Sequence, residues 1–332
     1  MALKSTALKI CGNLMPDFYR PPAGVLFPFG HIVSDSAPPH VRHLYAVPSI
    51  AKFKSDIDYL CRNCRPLQIA ELEQLPRIRQ SETSARSFIL SFDDGMREVY
   101  EVIAPILRDK GLPAIFFLNS ATVDNKRLMW RHKVSLLIER SKQRPGRIPP
   151  QLSGRPGTSL QAKLNALRFA DEGLIDEVAK FFELDFDDYL RSSRPYLTSD
   201  QVLALARVGF EFGAHSDSHP YFHEMALEDQ EKQISASVHF IRFLGLPCRY
   251  FAFPFHDGGV PASLFKYMTD HNLVLSFGTS EARVDSIAFS FQRFALDGEN
   301  ANVSFRDMLK QLSGKSFVRG LTRTQIIRRK HV

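Results

Sequence analysis

The sequence predicts an α/β fold, a parallel sheet or barrel built from strand–helix repeats. Three observations carry this. Seven apolar runs with strand character recur along the chain, at 24–30, 87–92, 113–119, 210–214, 249–254, 272–278 and 288–294. Most of them are continuous rather than alternating, the pattern of strands buried on both faces. Helical patterns lie between them, as strand–crossover–strand units require. The length of 332 residues suits one large α/β barrel or two domains. With 44% apolar and 24% charged residues the composition is globular, which excludes collagen-like, mainly disordered and disulfide-stapled chains. No stretch reaches the roughly 18 uninterrupted apolar residues of a membrane-spanning helix.

Taken in order, residues 1–23 read as an N-terminal extension. They carry Lys4 and Lys9 but neither a sustained apolar core nor a small-residue cleavage site. No secretory signal is expected, so the protein is expected in the cytoplasm or at its membrane face. The barrel is expected over 24–318. Its first strand, GVLFPFG, runs into His31 and Asp35. A helix over 49–64 starts at the N-cap Ser49 and contains Cys61 and Cys64. Cys11 and Cys248 stand alone, so no second pair completes a zinc ribbon and two buried thiols are expected. Further helices are expected over 96–110, ending at Gly111, over 199–208 between Thr198 and Gly209, and over 226–244, ending at Gly245. Residues 120–197 break the alternation: they hold helical patterns and no convincing strand, with a Pro-, Gly- and Arg-rich exposed loop at 142–159. This stretch reads as a helical insertion.

Residues 319–332 read as a basic tail, with Arg319, Arg323, Arg328, Arg329 and Lys330 and no acid. The net charge is +7 and the pI about 9.2. A solvated tail is the plain reading, and contact with a membrane surface or polyanion the second. No zinc-finger, RNA-recognition or helix-turn-helix pattern appears, so nucleic acid is not an expected partner.

Four of the apolar runs end in polar or turn-forming groups. SFILSF runs into Asp93-Asp94-Gly95, two adjacent carboxylates whose burial requires a cation or donors. FEFGA runs into His215, with His219 four residues on, a spacing that can bring two imidazoles to one metal. His223 offers a second register with His219, and 215/219 is preferred because His215 directly follows the strand. RYFAFP ends at Pro254-Phe255. Pro has no N–H, so that of Phe255 is the first available donor past the strand. GVLFPFG ends at His31. An ordinary turn or cap explains each of these alone. Together they fall at the ends of parallel strands, where a barrel gathers its catalytic groups. One Asp and two His form a facial set for a divalent cation, and the second Asp is left to act as a base.

At these residues the sequence resembles the polysaccharide deacetylases, carbohydrate esterase family 4, which share the NodB-homology domain. SFDDG is similar to their first motif, HSDSH to their second and FAFPF to their third, and the resemblance spans roughly 24–295 with 120–197 poorly matched. It implies a deformed (β/α)7 TIM-like barrel and removal of an N- or O-acetyl group from a carbohydrate. It implies a divalent metal, commonly zinc, on Asp94, His215 and His219. Asp93 matches the general base, and Phe255 the residue whose N–H helps form an oxyanion hole.

The chain departs from the family in three places. Phe253 stands where the third motif often has Arg, and His256 where Gly is common. The late Leu-x-His that supplies the general acid is missing. GHIVSD fits the permuted relatives that carry this His early, which makes His31 the expected acid and His256 the second choice. Arg293, at the end of the last strand run, is expected to replace the missing Arg by orienting Asp93; a surface Arg is the alternative reading. Two further functions stay open: deformylation or deacetylation of a lipid- or nucleotide-linked sugar or other small amide, and catalytically silent glycan binding.

Overall fold

The computed structural model describes residues 24–77 and 86–330; the N-terminal extension expected over 1–23 lies outside them. Every paired strand is parallel. The main sheet comprises β1 (Pro28–Gly30), β2 (Leu90–Phe92), β3 (Ala114–Leu118), β4 (Glu211–Ala214), β5 (Tyr250–Ala252), β6 (Leu275–Gly278), β7 (Ser290–Gln292) and β8 (Phe294–Ala295). Its order is β7-β6-β5-β4-β3-β2-β1-β8. β7 and β8 are two halves of one bent segment, separated only by Arg293. The first half pairs with β6 and the second with β1, so seven strand positions make a ring that the chain itself closes. This is the deformed (β/α)7 barrel expected from the sequence.

The continuous apolar runs have a direct cause. Alternate side chains point to opposite faces of a strand, and here both faces are dry. Ile115, Phe117, Tyr250, Ala252, Leu275 and Phe277 pack together inside the barrel. Their neighbours Ala114, Phe116, Leu118, Phe251 and Phe253 pack outward beneath the helices.

The expected helices form at Ile50–Asn63, Val99–Asp109 (whose first turn is π-helical), Ser199–Arg207 and Leu227–Phe243. Ser49 and Thr198 cap theirs, each accepting a hydrogen bond from the third backbone N–H. Of the CxxC pair, Cys64 is buried, but Cys61 is exposed on the last helical turn, so only one thiol matches the expectation. Three α-helices among the described residues went unread in the sequence: the single turn Ile69–Leu72, Ala262–Asp270 and Phe305–Leu321.

Residues 120–197 leave β3 and return before β4 through four α-helices: Trp130–Lys142, Leu160–Asn165, Glu172–Phe181 and Phe186–Ser193. Their core of Trp130, Leu137, Leu164, Val178 and Phe182 is continuous with Ile32, Val41 and Met96 from the barrel's rim. The insertion is therefore packed onto the barrel end where the parallel strands terminate.

The basic tail differs from its expectation. Residues 319–321 complete the helix Phe305–Leu321, and Ile326–Ile327 pairs with Val284–Asp285. Arg329 is buried. Its guanidinium meets the carboxylates of Asp257 and Asp285, with Nε 3.1 Å and 3.2 Å from the two Asp285 oxygens, and also reaches the Asp257 carbonyl. This end of the chain is a clasp on the loop after β5, and its described residues 325–330 are part of the fold instead of a solvated tail. Arg323, Arg328 and Lys330 remain exposed. No helix among the described residues is long and apolar enough to cross a membrane.

Candidate active site

Because all strands run the same way, their C-terminal ends open on one face. His31 follows β1, Asp93 and Asp94 follow β2, His215 follows β4, and Phe255 lies three residues past β5. These five and His219 line one cavity of about 320 Å³. Several of these turns are conformationally costly. Asp94 (φ +71°), Ser216 (+68°), His219 (+60°) and Phe255 (+56°) all occupy the left-handed region, which side chains other than glycine rarely adopt. Gly95 shares that conformation, and a Cβ there would sit 2.9 Å from Leu118.

Asp94, His215 and His219 bring one ligand atom each to within 4.8 Å of one another, and all three are buried. His215 Nε2 lies 3.6 Å and His219 Nε2 3.4 Å from Asp94 Oδ1. The 215/219 register is therefore the one that converges. His223 instead stacks on His256, ring centroids 4.7 Å apart. The His215 backbone carbonyl accepts from Asn119 Nδ2 at 2.5 Å, and His215 Nδ1 bonds the Ala252 carbonyl at 2.8 Å, which turns Nε2 toward Asp94.

The donor set fits a divalent cation on its own chemistry. Asp94 Oδ1 and His215 Nε2 are buried without a hydrogen-bond partner, an expensive arrangement for isolated groups. Burial pulls His215 down to about 4, and burial together with His215 holds His219 well below the ordinary imidazole range, so both rings are neutral with lone pairs free. Burial, reinforced by the neighbouring Asp93 and Asp297 charges, raises Asp94 to about 7. A positive charge at this point would offset all three costs.

Asp93 borders this trio, its Oδ2 3.8 Å from His215 Nε2, but has a partner of its own. Arg293 Nη1 and Nη2 each donate to one of its carboxylate oxygens at 2.7 Å, a two-pronged pair. Arg293 is fully buried, its guanidinium 4.3 Å from the centre of the Phe29 ring, and Nη1 also donates to Ser91 Oγ at 3.1 Å. Burial would push Asp93 up, but the Arg293 charge overrides it and holds the carboxyl below its ordinary value. Arg293 does not line the cavity. It acts from behind Asp93, and its place at the β7/β8 break lets one residue close the barrel and fix the carboxylate.

His31 is paired with Asp297, which sequence reasoning missed. Asp297 Oδ2 accepts from the His31 backbone N–H at 3.0 Å and lies 2.6 Å from Nδ1. Burial lowers the imidazolium, but the Asp297 charge and hydrogen bond, helped by Asp94 and Asp93, outweigh it and raise His31 to about 9. His256, the second choice as acid, is exposed, accepts from the Gly258 N–H at 3.2 Å and stays out of the cavity.

Phe255 is the centre of a tight turn in which the His256 N–H donates to the Pro254 carbonyl at 2.7 Å. In a trans peptide the Phe255 N–H points opposite to that carbonyl, away from the turn. Thr279 Oγ1 holds the Phe255 carbonyl at 2.7 Å. The Phe255 ring stacks on Tyr221, centroids 3.8 Å apart, and meets the His219 ring edge-on at 4.5 Å. The insertion supplies the remaining wall, through Met129, Arg131 and His132.

A sequence-family description of polysaccharide deacetylase matches residues 80–274. No curated protein matches the sequence. Among solved structures, the fold is similar to the deacetylase PplD of Streptococcus pyogenes, with a TM-score of 0.57 at 14% identity over 87% of this chain and 97% of that one. IcaB of Ammonifex degensii gives 0.52 at 17% identity over 87% and 97%. A de-N-acetylase of Aggregatibacter actinomycetemcomitans gives 0.50 at 15% identity over 81% and 94%.

Proposed function

The chain belongs to the polysaccharide deacetylase family, hydrolases that act on carbohydrates, and from that premise we propose that it is a cation-dependent enzyme removing N-acetyl groups from a carbohydrate. The observation that carries this is a pair of oppositely prepared proton groups facing one cavity. Asp93 is held ionised by Arg293. His31 is held protonated by Asp297. Amide hydrolysis needs one group to take a proton and one to give it.

Asp94, His215 and His219 would hold the divalent cation, zinc being the one this donor set suits. A carboxylate held as low as Asp93 is a weak base, and the cation supplies the Lewis acidity that makes water acidic enough for it to deprotonate. Asp93 takes that proton as the water oxygen attacks the amide carbon. The Phe255 N–H is the donor for the oxygen that becomes negative. His31 gives its proton to the nitrogen, the C–N bond breaks, and acetate and a free amine leave. Arg293 and Asp297 are positioning residues. Catalytically silent glycan binding is disfavoured because a site that only binds has no need of an ionised carboxylate and a protonated imidazole facing the same cavity.

The test is acetate release from N-acetylated oligosaccharides after chelation and re-addition of zinc. The expected result is release that chelation abolishes and zinc restores. In Asp93→Asn it should fall about 10²–10⁴-fold with zinc still bound. Undiminished release in that variant, or none from any acetylated carbohydrate with zinc bound, would overturn the proposal.

A further inference from the structure

Arg131 projects from the first turn of Trp130–Lys142 into the wall of the reaction cavity. It is half-buried, and the hydrogen bond of its guanidinium is a 3.4 Å contact from Nη1 to the Asn165 carbonyl. Among the described residues no carboxylate pairs with it. The cations on either side of it in the chain are treated differently. Arg127 pairs with Glu172, and Lys133 with both Glu172 and Asp176 at 2.9 Å. Only the one turned to the cavity lacks a counter-charge.

Its surroundings add positive charge. The helix starts at Met129 with no side-chain cap and no acid in its first turn, so the positive end of its dipole is left open beside the guanidinium. Arg168 lies over the Tyr221 ring at 5.2 Å, and that ring stacks on Phe255 at the reaction centre. The acid that the Arg168 guanidinium meets is Glu224, at 3.8 Å and exposed, a weak partner. Burial and the Arg168 charge both press the Arg131 guanidinium below its ordinary value. An unmatched guanidinium in a partly desolvated wall is costly unless a ligand anion completes it.

We propose that the cavity takes an acetylated sugar bearing an acidic group, a carboxylate or a phosphate, which Arg131 binds with Arg168 as the second cation. Both anions have the planar or multi-oxygen geometry that a guanidinium grips with two N–H groups. The inference rests on the deacetylase reading of the same cavity and narrows its substrate class. Neutral N-acetylated glycans would enter the same site with this wall uncompensated.

Trp130 is the only tryptophan in the chain and lies 5.2 Å under the Arg131 guanidinium, so its fluorescence reports on this wall. Titrations would compare N-acetylglucosamine, its 1-phosphate and its uronic acid, with calorimetry as the second readout. At least one acidic sugar is expected to bind about tenfold tighter than the neutral one, and Arg131→Ala should reduce that advantage to less than about threefold. The acid that shows the advantage identifies the group as phosphate or carboxylate. Equal binding of all three sugars by the unaltered protein would overturn the proposal, whatever the variant does. So would an advantage that persists in folded Arg131→Ala, or inorganic phosphate binding as tightly as the sugar phosphate. Loss of acetate release with the acidic preference intact would instead break the reaction reading and leave this one standing.

Discussion

The barrel rim and the helical insertion face each other across one cavity, and they handle charge in opposite ways. On the rim each proton-handling group is matched from inside the protein: Asp93 by Arg293, His31 by Asp297. On the insertion the cavity-facing cation, Arg131, is left without a carboxylate. Groups that must be in a fixed protonation state at every encounter are set by the fold. A group that discriminates among substrates gains from being completed only by the right one.

The sharpest way to break this contrast is to unmatch the rim. Arg293→Ala leaves Asp93 buried and unpaired, beside the three buried side chains Asp94, His215 and His219 that suit a cation. It is expected to lower stability by about 3–5 kcal/mol, read by denaturant unfolding. Turnover should collapse with it, since Asp93 loses both its orientation and the charge that keeps it ionised. A variant of wild-type stability would mean that the pair is not what holds this end of β2. On the insertion, Arg131→Ala should cost far less stability, because no buried charge is left unpaired.

A second comparison sets the C-terminal clasp beside the rim. Arg329→Ala leaves the Asp257 and Asp285 carboxylates facing each other in a buried space. A drop in melting temperature is expected, with a loss of turnover that tracks the loop carrying Phe255, two residues before Asp257. Deleting 325–332 should do the same. Full activity and unchanged melting in either variant would return the segment to a solvated tail.

How far the sequence could be read follows the same division. The seven strand runs were visible because both faces of most strands are buried, which keeps them largely apolar despite Ser91, Glu211 and Ser276. Asp94, His215 and His219 were visible because each stands at or just past a strand end. Asp297 was not. It lies 266 residues from His31, and in the sequence its Asp-Gly reads as a plain turn. Arg329 was misread because its acids lie 72 and 44 residues away, and a basic run with no local acid looks solvated. The helix Phe305–Leu321 was missed because its buried apolar residues, Phe305, Met308, Leu309 and Leu312, fill only the first half, while Phe317 and Leu321 are exposed. Arg131 carries no signal at all in the sequence: only the folded insertion shows that it faces the cavity.

The smallest and most specific effect concerns His31. Its folded value of about 9 lies above the ordinary 6.5, so the His31–Asp297 pair contributes stability that is complete below about pH 6.5 and is lost as pH rises through 9. A general acid is useful only while protonated, so the alkaline limb of kcat/KM should follow the same group. The most direct measurement is therefore the pH profile of kcat/KM for acetate release by the zinc-loaded enzyme and by Asp297→Asn. The expected alkaline limb lies above the ordinary imidazole value, because of the Asp297 charge and hydrogen bond, and moves down toward that value when the carboxylate charge is removed. A limb that stays in place in Asp297→Asn would contradict the assignment of His31 as the acid, and with it the claim that the rim sets its own proton groups.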